Sequence, residues 1–353
     1  MTSMSHRPIV LPSHGLSSRI LVIKLGSLGD LFHALPAVHI LKRQLAGVVD
    51  WVAQPEYVDL VKCFDDVDEI ISFPRKTFFR DGLNCIRRVR SKSYDYVIDF
   101  QGLLKSAFIT RCARTNKRIG PSYAREGSHY FYNAVTGPKN KNRHAVEETL
   151  DITKYFNLDT TPDSPITQKL LFPLTFPVKA MKIPSPSVAF VPCSRWLGKN
   201  WTPGHFIEVG RALQKQRSAS IFLVGGPNDL TVCKKIERGL GKHTTNLCGK
   251  TTLVELGSLL QAMDLAVTVD SGPMHMAAAI NTPVLAVFGI TDPRRTGPYG
   301  AQHRVVKDDR ITDDPSMSRV YKRKDALDLW EVPADKVIEQ AMEMLEIVLQ
   351  SQS

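Results

Sequence analysis

Short apolar runs rich in β-branched residues alternate with segments of helical period along nearly the whole 353-residue chain. That alternation belongs to parallel sheets covered by helices on both faces, and it constrains the fold more than any other feature. In the first half it predicts strands at 19–25, 49–53, 68–73, 95–100 and 117–120, with helices at about 30–45, 56–63, 83–92, 103–114 and 144–156. A proline-dense stretch follows at 158–187. Proline fixes φ and removes a backbone donor, so this stretch reads as a linker. A second α/β series predicts strands at 187–192, 220–225, 265–269 and 284–288, with helices near 205–216, 229–239, 253–263 and 273–280. The expected order is an N-terminal extension (1–18), a first domain (19–157), the linker (158–187), a second domain (188–332) and a C-terminal helix (333–353). In that last helix Pro333 suits a first turn, and Val337, Met342, Leu345 and Val348 recur at helical spacing. Two doubly wound domains facing a central cleft bind ligands at the carboxyl ends of their strands.

No apolar stretch approaches the roughly 20 residues that cross a bilayer, and the first 18 residues, broken by Pro8 and Pro12, lack a signal peptide's apolar region. The expected compartment is the cytoplasm. Cys63, Cys85, Cys112, Cys193, Cys233 and Cys248 form no C-x-x-C pair, and the histidines add no zinc spacing, so reduced thiols and no structural metal are expected. Charge is uneven. Residues 75–143 carry 16 basic and 4 acidic residues, net +12 against +11 for the whole chain, and include RRVRSK (87–92) and KNKNR (139–143). Such a field attracts phosphate-rich partners, although solvated helix faces also give charge runs.

Four strand-end loops of the second half combine small, hydroxyl and basic residues: VPCSRWLGKNW (191–201), VGGPND (224–229), VDSGPMHM (269–276) and FGITDP (288–293). Glycine lets a backbone approach a ligand closely and helix N-termini offer free N–H groups, which suits a diphosphate. In DSGPMHM two readings stand. Either Asp270 and Ser271 cap the next helix while His275 packs, or the Gly272 N–H and His275 face phosphate while Asp270 accepts hydrogen bonds from sugar hydroxyls. Lys199 reads as a cation for a leaving diphosphate or as a surface lysine. No G-x-G-x-x-G, Walker loop, H-E-x-x-H or G-x-S-x-G is present, which argues against hydride transfer, P-loop ATP hydrolysis and serine-type hydrolysis. RILVIKLGSLGDLFHALP (19–36) has the glycines of a tight strand-to-helix turn. There Asp30 opens the helix, and a carboxylate at the positive end repels phosphate. Asp30 therefore either caps the helix or takes a proton as general base.

RILVIKLGSLGDLFHALPAV, DFQGLLKSA (99–107), YNAV and RHAVEETLDI (132–152), GKNW (198–201) and VDSGPMHMAAAINTPVLAVFGITDP (269–293) together resemble the bacterial lipopolysaccharide heptosyltransferases of glycosyltransferase family 9. QGLLKSA and HAVE look most like heptosyltransferase I. The resemblance runs in order from about 19 to 300. It implies a GT-B fold of two Rossmann-like domains, the first for acceptor and the second for ADP-heptose, and inverting transfer to a Kdo residue of a lipid A-linked acceptor. No cofactor or metal is essential on this reading, Mg2+ stimulation aside. Asp30 matches the general base, Lys199 the lysine on the diphosphate, and Asp270, Ser271, Gly272 and His275 the donor motif. Ser194 fits a phosphate-contacting hydroxyl and Asp229 the ribose acid, while Cys193 stands where relatives carry threonine and a thiol donates more weakly. Gly29, Lys105, Arg125 and Arg143 are the expected acceptor contacts. The basic stretch would then bring the enzyme to the anionic cytoplasmic face of the inner membrane. Competing readings are a family 9 transferase with another nucleotide sugar or glycan acceptor, and a non-catalytic nucleotide-sugar-binding protein, against which Asp30 and Lys199 weigh. Nucleic-acid binding is disfavoured, since no recognised motif accompanies the charge.

Overall fold

The computed structural model describes residues 18–45, 47–74, 77–140, 142–158, 172–177, 183–308 and 331–352. Residues 1–17 of the extension and 159–171 and 178–182 of the linker lie outside them. The described residues divide into two compact units. The first is drawn from Met1–Gly26, His33–Asn140 and Val146–Pro173, and the second from Ser27–Phe32, Lys141–Ala145 and Leu174–Ser353. Segments 27–32 and 142–145 fall within the stretch that the sequence assigns to the first domain, yet they belong to the second unit.

The first unit is a six-stranded parallel sheet: β1 (Arg19–Ile23), β2 (Val48–Ala53), β3 (Glu69–Ser72), β4 (Tyr96–Asp99), β5 (Arg118–Pro121) and β6 (Ala134–Thr136), in spatial order β3-β2-β1-β4-β5-β6. Its helices are α1 (Leu28–Gln44), α2 (Val58–Val61), α3 (Phe78–Arg90), α4 (Leu104–Cys112) and α5 (Ala145–Tyr155), α1 beginning in the segment that packs with the second unit. Ile23 aligns with Val52 on one side and Asp99 on the other. One core layer joins Leu21, Ile23, Val52, Ile71 and Val97 of the sheet to Cys85 and Val89 of α3 and Ile109 of α4.

The second unit repeats the arrangement. Strands β7 (Ser187–Val191), β8 (Ser220–Leu223), β9 (Thr244–Asn246), β10 (Leu265–Val269), β11 (Val284–Phe288) and β12 (Arg304–Lys307) lie in the order β12-β11-β10-β7-β8-β9. Around them run α6 (Pro203–Arg217), α7 (Leu230–Leu240), α8 (Leu253–Gln261), α9 (Gly272–Ala279), α10 (Pro293–Thr296) and α11 (Ala334–Gln352). Strands β7, β10 and β11 are buried at every position, because helices cover both faces and leave no solvent side to carry polar residues. The C-terminal helix α11 is part of this core. Its buried stripe is Val337, Ala341, Met344 and Leu345, whereas Met342 and Val348, expected inside from their spacing, are only partly buried.

In both sheets the order reverses beside the first strand, between β1 and β4 and between β7 and β10. Loops diverge at such a point and leave a crevice at the strand ends, the usual ligand position in doubly wound sheets.

Candidate active site

In the first unit, the loops at the reversal hold one another. The buried Lys24 donates from Nζ to the carbonyl of Phe100 at 2.8 Å, and Gln101 Oε1 accepts the Leu25 N–H at 3.1 Å. Asp99, the first residue of DFQG, is fully buried. Its Oδ1 accepts the N–H groups of Gln101 and Gly102 at 2.8 and 3.0 Å, and its Oδ2 accepts the Tyr132 hydroxyl at 2.8 Å. Burial raises its pKa against those bonds. Asp99 thus shapes the turn that presents Gln101, and Gln101 fixes the start of the LGSLGD loop.

In the second unit, the candidate site residues gather in the loops after β7 and β10. Lys199 Nζ donates to Asp270 Oδ2 at 2.7 Å, and the Thr291 hydroxyl donates to the same oxygen at 2.7 Å. Lys199 also lies 5.9 Å from the centre of the Trp196 ring. The remainder of GKNW is scaffold: Asn200 Oδ1 accepts the Ser194 N–H at 2.7 Å, and the buried Trp201 donates from Nε1 to the Val332 carbonyl at 2.9 Å. Sequence reasoning missed Thr291 and Asn200, although both lie in motifs it singled out.

Ser271 bears on the two readings of DSGPMHM. It occupies the N-cap position of α9 with extended backbone, but its side chain makes no capping bond, and its buried Oγ has no partner among the described residues. The first N–H groups of α9 are therefore left without a side-chain cap from Ser271. One turn in, His275 is fully buried, which pushes its pKa down to about 4 although Asp270 and Asp30 pull the other way, so the imidazole is neutral at pH 7.

Segment 27–32 meets this helix. A Cβ on Gly29 would lie 2.4 Å from His275 Cδ2, and one on Gly272 would lie 2.8 Å from Leu28. Only bare backbone fits at either place. Asp30 accepts the Ser27 N–H at 2.9 Å and the Ser27 hydroxyl at 3.0 Å through Oδ2. Ser27 thus orients the carboxylate, a role the sequence reading did not give it. His144 of the HAVE segment reaches the Gly297 carbonyl through Nε2 at 3.1 Å and lies beside the Tyr299 ring.

Gly29, Asp30, Lys199, Asp270, Ser271, Gly272 and His275 are thereby brought into one unit. Ser194 and Asp229 sit on adjacent strand-end loops of the same sheet, both engaged within the protein. The Ser194 hydroxyl donates to the Trp196 carbonyl at 2.7 Å, and Asp229 Oδ2 accepts the Gly226 N–H at 2.8 Å. Burial, with the charge of Asp229 adding to it, pushes the pKa of the Cys193 thiol up to about 12, so it is protonated at pH 7. Arg143 belongs to the second unit, whereas Lys105 and Arg125 are exposed in the first. Among the described residues no group of three or more His, Cys, Asp or Glu side chains could hold a metal ion.

Comparison with known proteins follows this geometry. The family model described as glycosyltransferase family 9 (heptosyltransferase) matches residues 83–325. Lipopolysaccharide heptosyltransferase 1 of Escherichia coli (strain K12) is 28% identical over 306 residues, covering 82% of this chain and 93% of its own. Lipopolysaccharide heptosyltransferase 3 of the same strain is 28% identical over 281 residues, covering 75% and 80%. Among solved structures, E. coli heptosyltransferase WaaC with ADP superposes with a TM-score of 0.74 at 24% identity, covering 92% of this chain and 99% of its own. E. coli ADP-heptose LPS heptosyltransferase II gives 0.75 at 22%, covering 95% and 100%. Two doubly wound six-stranded sheets with these likenesses define the architecture as GT-B, and the family match makes the class a glycosyltransferase. The chain belongs to glycosyltransferase family 9, the heptosyltransferase family.

Proposed function

We propose that the enzyme moves a heptose from ADP-heptose, with inversion, onto a Kdo residue of the lipid A inner core, and works at the anionic cytoplasmic face of the bacterial inner membrane. The observation that carries this reading is the meeting of an oriented carboxylate, Asp30, with an uncapped helix N-terminus and a lysine in one unit. Inversion needs a base on one side of the anomeric carbon and stabilisation of the leaving group on the other. On this reading the acceptor hydroxyl oxygen bonds to the anomeric carbon, its proton passes to Asp30, and the bond from that carbon to the phosphate oxygen breaks to release ADP.

Each donor-side residue then has a task consistent with its contacts. The Ser271 hydroxyl and the Gly272 N–H receive phosphate oxygens. Lys199 has three N–H donors, so it can keep Asp270 and still neutralise the diphosphate. Asp270 remains fixed by Lys199 and Thr291 to meet sugar hydroxyls, and Asp229 faces the ribose. The neutral His275 adds no charge under Asp30 and so leaves its basicity intact. Ser194 must turn its hydroxyl away from Trp196 to reach a phosphate, which makes it a secondary contact.

Heptosyltransferases 1 and 3 of E. coli are each 28% identical to this chain, over 306 and 281 residues. The choice of Kdo rests on QGLLKSA and HAVE. The test is a matrix of donors (ADP-heptose, ADP-glucose, UDP-glucose) against Kdo-terminated and heptose-terminated acceptors. Transfer from ADP-heptose to the Kdo-terminated acceptor supports the proposal. Turnover only with heptose-terminated acceptor overturns the acceptor assignment, and preference for another donor overturns the donor.

A further inference from the structure

The first unit carries an outward face whose apolar tips have no contact assigned in the proposed transfer. On α4, Ser106, Ala107, Ile109 and Thr110 are buried, while Leu104 and Phe108 are 46% and 45% exposed on the opposite side. Beside α4 packs the short 3₁₀ turn Ser128–Phe131, whose Tyr130 is 83% exposed. This is no loose loop. The Ser128 hydroxyl and the Arg125 N–H both donate to the Gly102 carbonyl, at 3.0 and 2.9 Å, and the Leu104 N–H donates to Glu126 Oε2 at 3.1 Å. Three large apolar side chains are thus held outward by a pinned backbone, an arrangement that costs free energy in water unless something covers it.

The surrounding charge indicates what does. Much of the basic stretch 75–143 is satisfied internally: Arg88 and Lys92 pair with Glu69, Arg90 donates to the Cys112 carbonyl, and Arg118 donates to the carbonyls of Thr110 and Ala113. Lys105, Arg111 and Arg125 are different. They are exposed around the apolar tips, and their side chains make no hydrogen bond or ion pair among the described residues. The one acidic neighbour, Glu126, has a carboxylate oxygen engaged by Leu104. Aromatic and aliphatic tips ringed by uncompensated cations match the boundary between anionic headgroups and acyl chains.

We infer that the face formed by α4 and the Ser128–Phe131 turn, with Leu104, Phe108 and Tyr130 as the apolar tips and Lys105, Arg111 and Arg125 as the cations, is where this enzyme docks on an anionic bilayer. The inference rests on the proposed membrane-facing role and adds the surface that makes the contact. It narrows the basic stretch 75–143 to one face, since Arg88, Arg90 and Lys92 are used within the fold.

The test is co-sedimentation of the full chain with vesicles of phosphatidylethanolamine and phosphatidylglycerol, with phosphatidylcholine vesicles as the uncharged control and no sugar donor present. The wild type is expected on the anionic vesicles and to dissociate with added salt. The triple variant Leu104→Ser, Phe108→Ser, Tyr130→Ser should partition at least about tenfold more weakly. Arg111→Gln should lose about fivefold. The melting temperature of the triple variant should stay near that of the wild type, which shows that it folds. Binding of the triple variant equal to wild type overturns this surface and leaves the membrane role standing. Absence of wild-type binding overturns the membrane role itself. If the triple variant instead turns a dimer into a monomer and keeps its vesicle affinity, the face is a contact between copies and the inference fails.

Discussion

At the scale of single residues, the site rests on side chains whose bonding separates task from scaffold. Ser271 is the clearest case. A serine at an N-cap normally accepts a backbone N–H, and its loss costs about 1 kcal/mol. Here it makes no such bond. Ser271→Ala should therefore change stability by less than about 0.5 kcal/mol in urea unfolding while raising the KM for the nucleotide sugar. A stability loss of the size expected for a broken cap, with unchanged KM, would return Ser271 to a structural role. The sequence made Asp30, Lys199, Asp270 and His275 visible because charged and titratable residues interrupt glycine-rich strand ends. It did not show that Ser27 holds Asp30 or that Thr291 shares Asp270 with Lys199. Those pairings depend on how the loops fold and meet, and no local pattern encodes them.

At the scale of elements, α1 and α9 meet through glycine. Gly29→Ala would put a methyl carbon 2.4 Å from His275 Cδ2, and a buried ring has little freedom to give way. Overpacking of this kind costs about 1–3 kcal/mol, which thermal unfolding should reveal. The double variant Gly29→Ala, His275→Ala should recover part of that loss, and strict additivity would contradict the contact. His275 also ties stability to pH. Its pKa is about 4 in the folded chain against 6.5 for a free imidazole. Above pH 6.5 both states are neutral there. As pH falls from 6.5 towards 4 the unfolded chain takes up a proton that the folded one refuses, so stability drops, by on the order of 2 kcal/mol at pH 5. His275→Gln should flatten the melting profile between pH 7 and 5, and an identical profile would exclude His275 as a contributor.

Element boundaries show where sequence reading succeeds. Strands β10 and β11 fall at the expected residues because a strand buried on both faces is a continuous apolar run bounded by polar loops. The strands not expected are β6 (AVT), β9 (TTN) and β12 (RVVK), and each lies at the edge of its sheet. An edge strand has one hydrogen-bonded neighbour, tolerates solvent and polar residues, and needs only three or four positions. Helix α3 begins at Phe78, five residues before its expected start, and carries Gly82 within it. The α11 stripe lies off the expected one because Met344 and Ala341 face the sheet in place of Met342 and Val348.

At the scale of the whole molecule, the same strand order occurs twice, and each time the motifs collect where that order reverses. The fold class was legible because alternation and linker composition are one-dimensional signals. Which unit a segment packs with is not one-dimensional. Residues 27–32 follow β1 in sequence, yet they pack with the unit that holds Lys199, Asp270 and His275. That placement gives the proposal its content: Asp30 as the base of a transfer whose leaving group is held from α9 and Lys199. The most direct test is Asp30→Asn, which keeps the size of the side chain and an oxygen to accept from Ser27 but removes the basicity. Steady-state transfer from ADP-heptose to a Kdo-bearing acceptor should fall in kcat by about 10²–10⁴ with donor affinity and melting temperature near wild type. Turnover within a few fold of wild type from a folded Asp30→Asn variant would contradict the account.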